Sequence, residues 1–129
     1  MSATKTKYVD GYVLVVPKSK VAAYRKMARA AGKMWMRCGA VEYKECVGED
    51  LFPKVGGMKM RTFPEMAGAR KSETVWFSWI GYRSKAHRDR VNKKVNAEIA
   101  RMAGKYRNVP MPFDLQRMAY GGFGVLVEG

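Results

Sequence analysis

The sequence has few cysteine and histidine residues, and it has no long apolar run. It has two cysteines, Cys38 and Cys46, and one histidine, His87, with no CxxC pair. That number allows one disulfide at most and does not supply the usual ligands of a structural zinc site. No apolar run reaches the roughly 18 to 20 residues of a membrane span, and the first ten residues lack a signal-peptide core. We therefore expect a cytoplasmic chain with reduced cysteines, no metal and no membrane segment.

Acidic residues are the second scarce class. The 129 residues include 25 lysines and arginines but only 11 aspartates and glutamates, which gives a net charge of +14. A charge of this sign attracts nucleic acids and other polyanions whatever the fold. Apolar residues make up 47% of the chain and aromatic residues 12%. This composition predicts a folded core in a single domain over residues 1–129.

Side-chain periodicity predicts alternating strands and helices. Four stretches have the β-branched, aromatic or alternating composition of strands, namely residues 8–17, 40–50, 72–83 and 116–129. Two stretches repeat apolar side chains at spacings of three and four and predict amphipathic helices, namely residues 18–37 and 84–106. The order of these elements is β-α-β, a long connection, and then β-α-β.

The long connection is residues 51–72, which are rich in glycine and proline. It predicts a loop with a short extra strand at residues 58–63. Loops of this length are uncommon unless they bind or cover something. We therefore expect this segment to roof a ligand pocket.

The order of elements is that of the ferredoxin-like α+β fold, in which one four-stranded antiparallel sheet carries two helices on one face. The other face would be open in a monomer. It is expected to carry large side chains such as Trp76 or Trp79, and Tyr12 or Tyr43. An exposed apolar face of that kind usually marks an interface, so we expect a homodimer that packs sheet to sheet.

Two acidic residues on otherwise apolar strands, Asp10 and Glu45, are the candidate acid–base groups. A carboxylate beside apolar walls is costly to bury unless a partner compensates it, and Arg117 and Lys44 are candidate partners. Such a carboxylate could activate or orient a small ligand in a pocket. The competing interpretation is an ion pair between subunits or a hydrogen bond to a neighbouring strand. The other candidate ligand contacts are Tyr12, Trp76, Ser78, Tyr120 and Arg117, the last of which would bind an anion.

The second predicted helix begins with a sequence that resembles a different site. His87-Arg88-Asp89 matches the start of a protein-kinase catalytic loop, but the fifth residue after Asp89 is Lys94 rather than the asparagine that binds metal. This difference excludes a kinase. Between residues 83 and 107 there are nine basic and two acidic residues. The pattern is typical of a solvated helix face, and the functional alternative is RNA or DNA binding through Arg88, Arg90, Lys93, Lys94 and Arg101.

Several segments together resemble the YbaA-like family of small bacterial proteins, in the dimeric α/β-barrel superfamily. They are YVDGYVLVVP, YRKMARAAGKMW, GAVEYKECVGED, ETVWFSWIGYRSKAHRDRVNKKV, MPFD and QRMAYGGF. The resemblance covers nearly the whole chain and implies a homodimer with a pocket between sheet and helices. The superfamily includes monooxygenases, haem-degrading enzymes and lactone isomerases, but chemistry does not transfer with a fold. No cofactor is predicted, and haem ligation by His87, expected at the surface, is the alternative that the superfamily suggests.

The sequence departs from the family pattern at Cys38, Trp76 and Asn96. Natural divergence explains these departures, and deliberate redesign of a natural scaffold is the second explanation. We expect the domain to bind a small, partly apolar molecule between sheet and helices. An enzyme of this kind would need no cofactor and would use Asp10 or Glu45 as its base. The alternatives are a basic dimer that binds RNA or DNA, and a scaffold, natural or engineered, without a ligand.

Overall fold

The computed structural model describes residues 5–106 and 111–129 and contains a four-stranded antiparallel sheet. Its strands are β1 (Tyr8–Pro17), β2 (Glu42–Val47), β3 (Glu73–Tyr82) and β4 (Ala119–Gly124). The helices are α1 (Val21–Arg37), α2 (Phe63–Ala67) and α3 (Lys85–Tyr106). The spatial order of strands is β2-β3-β1-β4. This topology confirms the predicted ferredoxin-like α+β fold.

The core lies between one face of the sheet and the helices α1 and α3. Tyr24 and Ala28 lie one turn apart on α1 and are buried against Leu14 of β1. Val91 and Val95 lie one turn apart on α3 and are buried with Ile80 of β3. The spacing of four residues places each helical pair on one face of its helix. Apolar burial along these faces therefore holds both helices on the same side of the sheet.

Local signals explain where the two long helices stop and start. α1 ends at Arg37 with Cys38 as its C-cap, and the following Gly39 has φ +115°, a conformation that glycine adopts without steric cost. α3 begins after Ser84, whose Oγ accepts a hydrogen bond from the backbone N–H of His87 at 3.0 Å. That bond satisfies one of the free N–H groups at the helix start.

The segment 51–72 differs from its prediction. Residues 58–62 form no strand, and the helix α2 begins at Phe63. Thr62 and Glu65 exchange side-chain and backbone hydrogen bonds in a capping box, with a proline at the helix start, a combination that favours a helix. The Phe63 ring packs 6.0 Å from that of Phe77 on the sheet face opposite α1 and α3. The prediction that this segment roofs the pocket is therefore wrong.

The phase of each strand decides which aromatic residues lie on the open face. Trp79 lies on that face, beside Phe77. Trp76, Tyr12 and Tyr43 lie on the helix-facing side. Only one of the named candidates for the open face therefore lies there. β2 and β4 are also shorter than the predicted strands, because a 3₁₀ turn at residues 115–117 precedes β4 and irregular backbone flanks β2.

Candidate ligand site

A row of polar side chains crosses the helix-facing side of the sheet. Glu45 of β2 lies opposite Ser78 of β3, and Ser78 lies opposite Tyr12 of β1. Tyr12 in turn lies opposite Tyr120 of β4, and their rings stack at 4.8 Å. Directly paired residues of antiparallel strands project to the same face. The register therefore brings four of the predicted site residues into one line.

At one end of this row, the Glu45 carboxylate accepts three hydroxyl hydrogen bonds. Tyr24 of α1 donates to Oε1 at 2.9 Å, and Tyr43 of β2 donates to Oε2 at 2.6 Å. The Ser78 hydroxyl also donates to Oε1. Among the described residues, no cation lies within 4 Å of this carboxylate. Glu45, Tyr24, Tyr43 and Ser78 are hereafter called the Glu45 cluster.

The two tyrosines of the cluster remain hydrogen-bond donors at neutral pH. Burial, reinforced by the neighbouring Glu45 carboxylate, raises the pKa of Tyr24 and of Tyr43 well above the usual phenol range. Neutral hydroxyls therefore hold the carboxylate. Since Oε1 accepts two of the bonds and Oε2 accepts one, Oε2 has a lone pair left for one further donor.

Lys44, the predicted partner of Glu45, is exposed and forms no ion pair with it. Successive side chains of a strand point to opposite faces, so Lys44 projects away from the Glu45 cluster. The prediction of a Lys44–Glu45 pair is wrong for that reason.

Two cavities meet at the Glu45 cluster. An inner cavity of about 160 Å³ lies between the sheet and α1 and is lined mostly by aromatic and apolar residues, together with Lys44, Glu45 and Ser78. An open groove of about 1030 Å³ runs between α1 and the edge strand β2. Ala28, Tyr43 and Glu45 line both. A cavity of about 150 Å³ can hold benzene, so the inner cavity has room for a ring-sized group.

Trp76 lines the groove, and Tyr12 and Ser78 line the inner cavity. The Trp76 side chain is buried against Tyr24, with ring centroids 4.6 Å apart. Its indole N–H is buried and has no acceptor among the described residues. Three predicted ligand contacts therefore border the cavities that also contain Glu45.

Asp10 has a different environment from the one predicted for a pocket base. It is 0% exposed, and its Oδ1 accepts a hydrogen bond from Arg88 of α3 at 2.9 Å. Arg88 also donates to the hydroxyls of Tyr8 and Tyr120, at 3.3 and 3.2 Å. Burial raises the pKa of Asp10, and the Arg88 charge opposes that shift. Asp10 and Tyr120 line neither cavity, so we assign Asp10 to an internal ion pair.

The Asp10–Arg88 pair depends on a close approach of β4. A Cβ atom at Gly122 would overlap the Tyr8 hydroxyl to which Arg88 donates. Glycine is therefore required where the backbone passes this hydroxyl. The same ion pair overturns the prediction that Arg88 contacts nucleic acid, because its guanidinium is occupied inside the fold.

Arg117 is not in the pocket and pairs with neither Asp10 nor Glu45. Its guanidinium donates to Glu73 at 2.6 and 2.9 Å and to Asp114 at 2.7 Å. It also donates to the backbone carbonyl of Gly68 at 2.8 Å. These bonds, with a backbone bond from Arg70, lower the pKa of Glu73 to about 2. The predicted role of Arg117 in binding a ligand anion is wrong because its donors are used to anchor the connection before β3.

His87 is buried rather than at the surface, with 4% of its area exposed. Its Nδ1 accepts the backbone N–H of Arg83 at 3.0 Å, and its ring packs against Tyr82. Burial, followed by the charge of Arg83, lowers the pKa of His87. Within residues 5–106 and 111–129, no three histidine, cysteine or acidic side chains are grouped as metal ligands. The two cysteines are free thiols.

The other four predicted nucleic-acid contacts lie at the surface of α3. Arg90, Lys93, Lys94 and Arg101 are exposed. None forms an ion pair within 4 Å in the part of the chain that the structure describes. No described helix combines the length and apolar composition needed to cross a bilayer.

Comparison with known proteins identifies the family of the chain. A family profile described as "Protein of unknown function (DUF1428)" matches residues 7–115. The chain is 41% identical over 122 residues to the uncharacterised protein YbaA of Escherichia coli K12, covering 95% of this chain and 98% of that protein, and the Shigella flexneri YbaA protein gives the same values. A solved structure of a dimeric ferredoxin-like protein from an uncultured marine organism aligns over 95% of this chain and 99% of its own, with 11% identity and a TM-score of 0.48. The chain therefore belongs to the YbaA-like family of proteins of unknown function.

Proposed function

We propose that the protein binds a small, partly apolar molecule at the Glu45 cluster, with a ring-sized part of the ligand in the inner cavity. The observation that carries this proposal is a carboxylate held by three neutral hydroxyls on the wall that two cavities share. Placing a carboxylate beside apolar walls without a cation costs stability, and apolar residues of similar size avoid that cost. The location of the Glu45 carboxylate therefore favours a role in ligand recognition over a role in stability.

The free acceptor position on Glu45 Oε2 defines the ligand's polar group. A hydroxyl or N–H group on the ligand would donate to it, while the apolar part contacts the aromatic walls of the cavity. In an enzyme of this kind, Glu45 would accept a proton from that group without any cofactor. The tyrosine and serine hydroxyls of the cluster would hold the carboxylate in place during the transfer.

4-Ethylphenol tests the proposal, because it joins an apolar ring to a single hydroxyl donor. We expect saturable binding to the wild type in an NMR titration. Glu45→Gln should weaken it by roughly tenfold or more, since a hydrogen bond to a charged acceptor is lost. The matched control is Glu49→Gln, at an exposed position of the same chain segment. A wild type that does not bind the phenol, or a Glu45→Gln variant that binds it equally well, would contradict the proposal.

We also propose that the protein forms a homodimer through the open face of the sheet. Phe77 is 45% exposed there and Phe123 is 63% exposed, and exposed aromatic residues on one sheet face are typical of an interface. Phe77→Asp with Phe123→Asp should give a folded monomer, measured by light scattering or native mass spectrometry. A wild type that is itself monomeric would contradict this part. A discrete mass excess on the wild-type dimer would identify a bound molecule.

The exposed cations of α3 favour a second candidate, binding of RNA or DNA. The triple change of Arg90, Lys93 and Lys94 to Glu should abolish nucleic-acid binding at low salt and leave phenol binding unchanged. Asp10 should not be used as a control here, because it holds Arg88. If neither the phenol nor nucleic acid binds, the scaffold interpretation gains and both functional proposals fail.

A further inference from the structure

α1 carries a row of four cationic side chains along the open groove. Arg25, Arg29, Lys33 and Arg37 recur at every fourth residue, and all four line the groove. At 1.5 Å per residue the row is about 18 Å long. Like charges at this spacing repel and weaken a helix. The row therefore lowers the stability of the helix. Such a cost is expected where the charges bind a ligand.

Most of these charges have no counterion among the residues that the structure describes. Arg37 pairs with Glu98 at 2.9 Å. The other three form no ion pair within 4 Å among the described residues. Glu45 is the acidic residue among those that line the groove, and hydroxyls occupy most of its acceptor positions. The groove is therefore cationic along its α1 side.

The opposite side of the groove is apolar. Val47 of β2 and Trp76 of β3 line it, and Val47 is 48% exposed. The Trp76 N–H adds a buried donor without an acceptor among the described residues. Cations and an unused donor on an apolar surface are complementary to a molecule that combines an apolar body with an anionic group.

We infer that the ligand of the Glu45 cluster is an organic anion, with an apolar ring or chain, a hydroxyl or N–H donor for Glu45, and a carboxylate bound by the cationic row of α1. This inference rests on the proposed ligand site and names the chemical class that the site accepts. The donor and apolar body enter between sheet and α1, and the carboxylate stays in the groove, where Arg25, Arg29 and Lys33 neutralise it. An amine of the same shape is rejected by the same charges.

Three phenols with the same ring but differently charged substituents test whether the site prefers an anionic group. 4-Ethylphenol is neutral, 3-(4-hydroxyphenyl)propionate adds a carboxylate, and tyramine adds an ammonium group. In NMR titrations at low salt we expect the propionate to bind about tenfold more tightly than 4-ethylphenol, and tyramine to bind more weakly than either. Salt should reduce the difference, because these cations are exposed to solvent.

Two triple variants with the same change in net charge locate the effect. The first changes Arg25, Arg29 and Lys33 to Glu, and the second changes Arg90, Lys93 and Lys94 of α3 to Glu. The first should remove the preference for the propionate over tyramine, and the second should leave it unchanged. Affinity for 4-ethylphenol should stay the same in the second variant, and circular dichroism of both variants shows that they are folded.

The outcomes separate the inference from the proposed function. If 4-ethylphenol binds but the two charged phenols bind equally, the inference is overturned and the binding site stands. Equal losses of propionate binding in the two triple variants also overturn it, since they would show a response to net charge alone. Absence of 4-ethylphenol binding to the wild type overturns the proposed function itself.

Discussion

Asp10 and Glu45 lie on the same face of the same sheet, yet the fold treats the two carboxylates differently. Asp10 is fully buried and pairs with the Arg88 guanidinium. Glu45 is half-buried, accepts only neutral hydroxyls among the described residues and borders two cavities. A buried charge needs a counterion, whereas a carboxylate beside a cavity can keep an acceptor position for a ligand. The pair with a cation is therefore an anchor between β1 and α3, and the carboxylate without one is the candidate site.

The largest expected effect comes from removing the counterion of Asp10. Arg88→Ala should lower the free energy of unfolding by about 3–5 kcal/mol, because it leaves an uncompensated buried carboxylate. Arg90→Ala, two residues along α3 and exposed, is the control and should change it by less than about 0.5 kcal/mol. Urea denaturation measures both. Equal effects of the two substitutions would mean that Asp10 does not depend on Arg88.

A smaller loss of stability is expected at the Glu45 cluster. Glu45→Gln keeps one oxygen acceptor and turns the other into a donor that faces a hydroxyl, which costs about 1–3 kcal/mol. Urea denaturation measures this loss as the difference in free energy of unfolding between Glu45→Gln and the control Glu49→Gln. A loss as large as that of Arg88→Ala would make the cluster a second structural anchor and would remove the contrast between the two carboxylates.

A third carboxylate, Glu73, sharpens the comparison through pH. Its pKa is lowered from 4.5 to about 2, chiefly by hydrogen bonds from Arg117. An acid whose pKa is lower in the folded than in the unfolded state stabilises the folded state at pH values above its unfolded-state pKa. That stabilisation is lost as the pH falls from 4.5 towards 2. Glu73→Gln should therefore show a flatter decline of the thermal midpoint over this window than the wild type. Equal slopes in the two proteins would contradict the Glu73–Arg117 pairing.

The sequence predicted the long elements well because their signals are local and repeated. The strand ending at Pro17 and the helix ending before Gly39 were both identified from periodicity and from the residues that terminate them. The helix α2 was missed in favour of a strand at 58–63. Its signal was present, because Thr62 and Glu65 have the spacing of a capping box. Methionine and phenylalanine in that stretch obscured it.

The candidate site was only partly predictable. Glu45, Tyr12 and Ser78 were named as candidates, but their alignment depends on strand register, which the sequence of one strand does not specify. Tyr24, a hydroxyl donor to Glu45, was read only as part of the apolar face of α1. Its spacing from Ala28 predicted burial, and burial of a tyrosine hydroxyl implies a hydrogen-bond partner. That rule could have linked it to Glu45.

The sequence by itself determined the βαββαβ order, the family, the basic charge and the two carboxylates that required an explanation. Each of these depends on residue identity or on spacings of a few residues. Only the tertiary structure decided that Arg88, 78 positions away in the chain, compensates Asp10, and that Arg117 serves Glu73 instead. Long cationic side chains reach partners in any segment that packs nearby. Charge compensation is therefore a property of the assembled fold, whereas helix and strand periodicity is a property of the local chain.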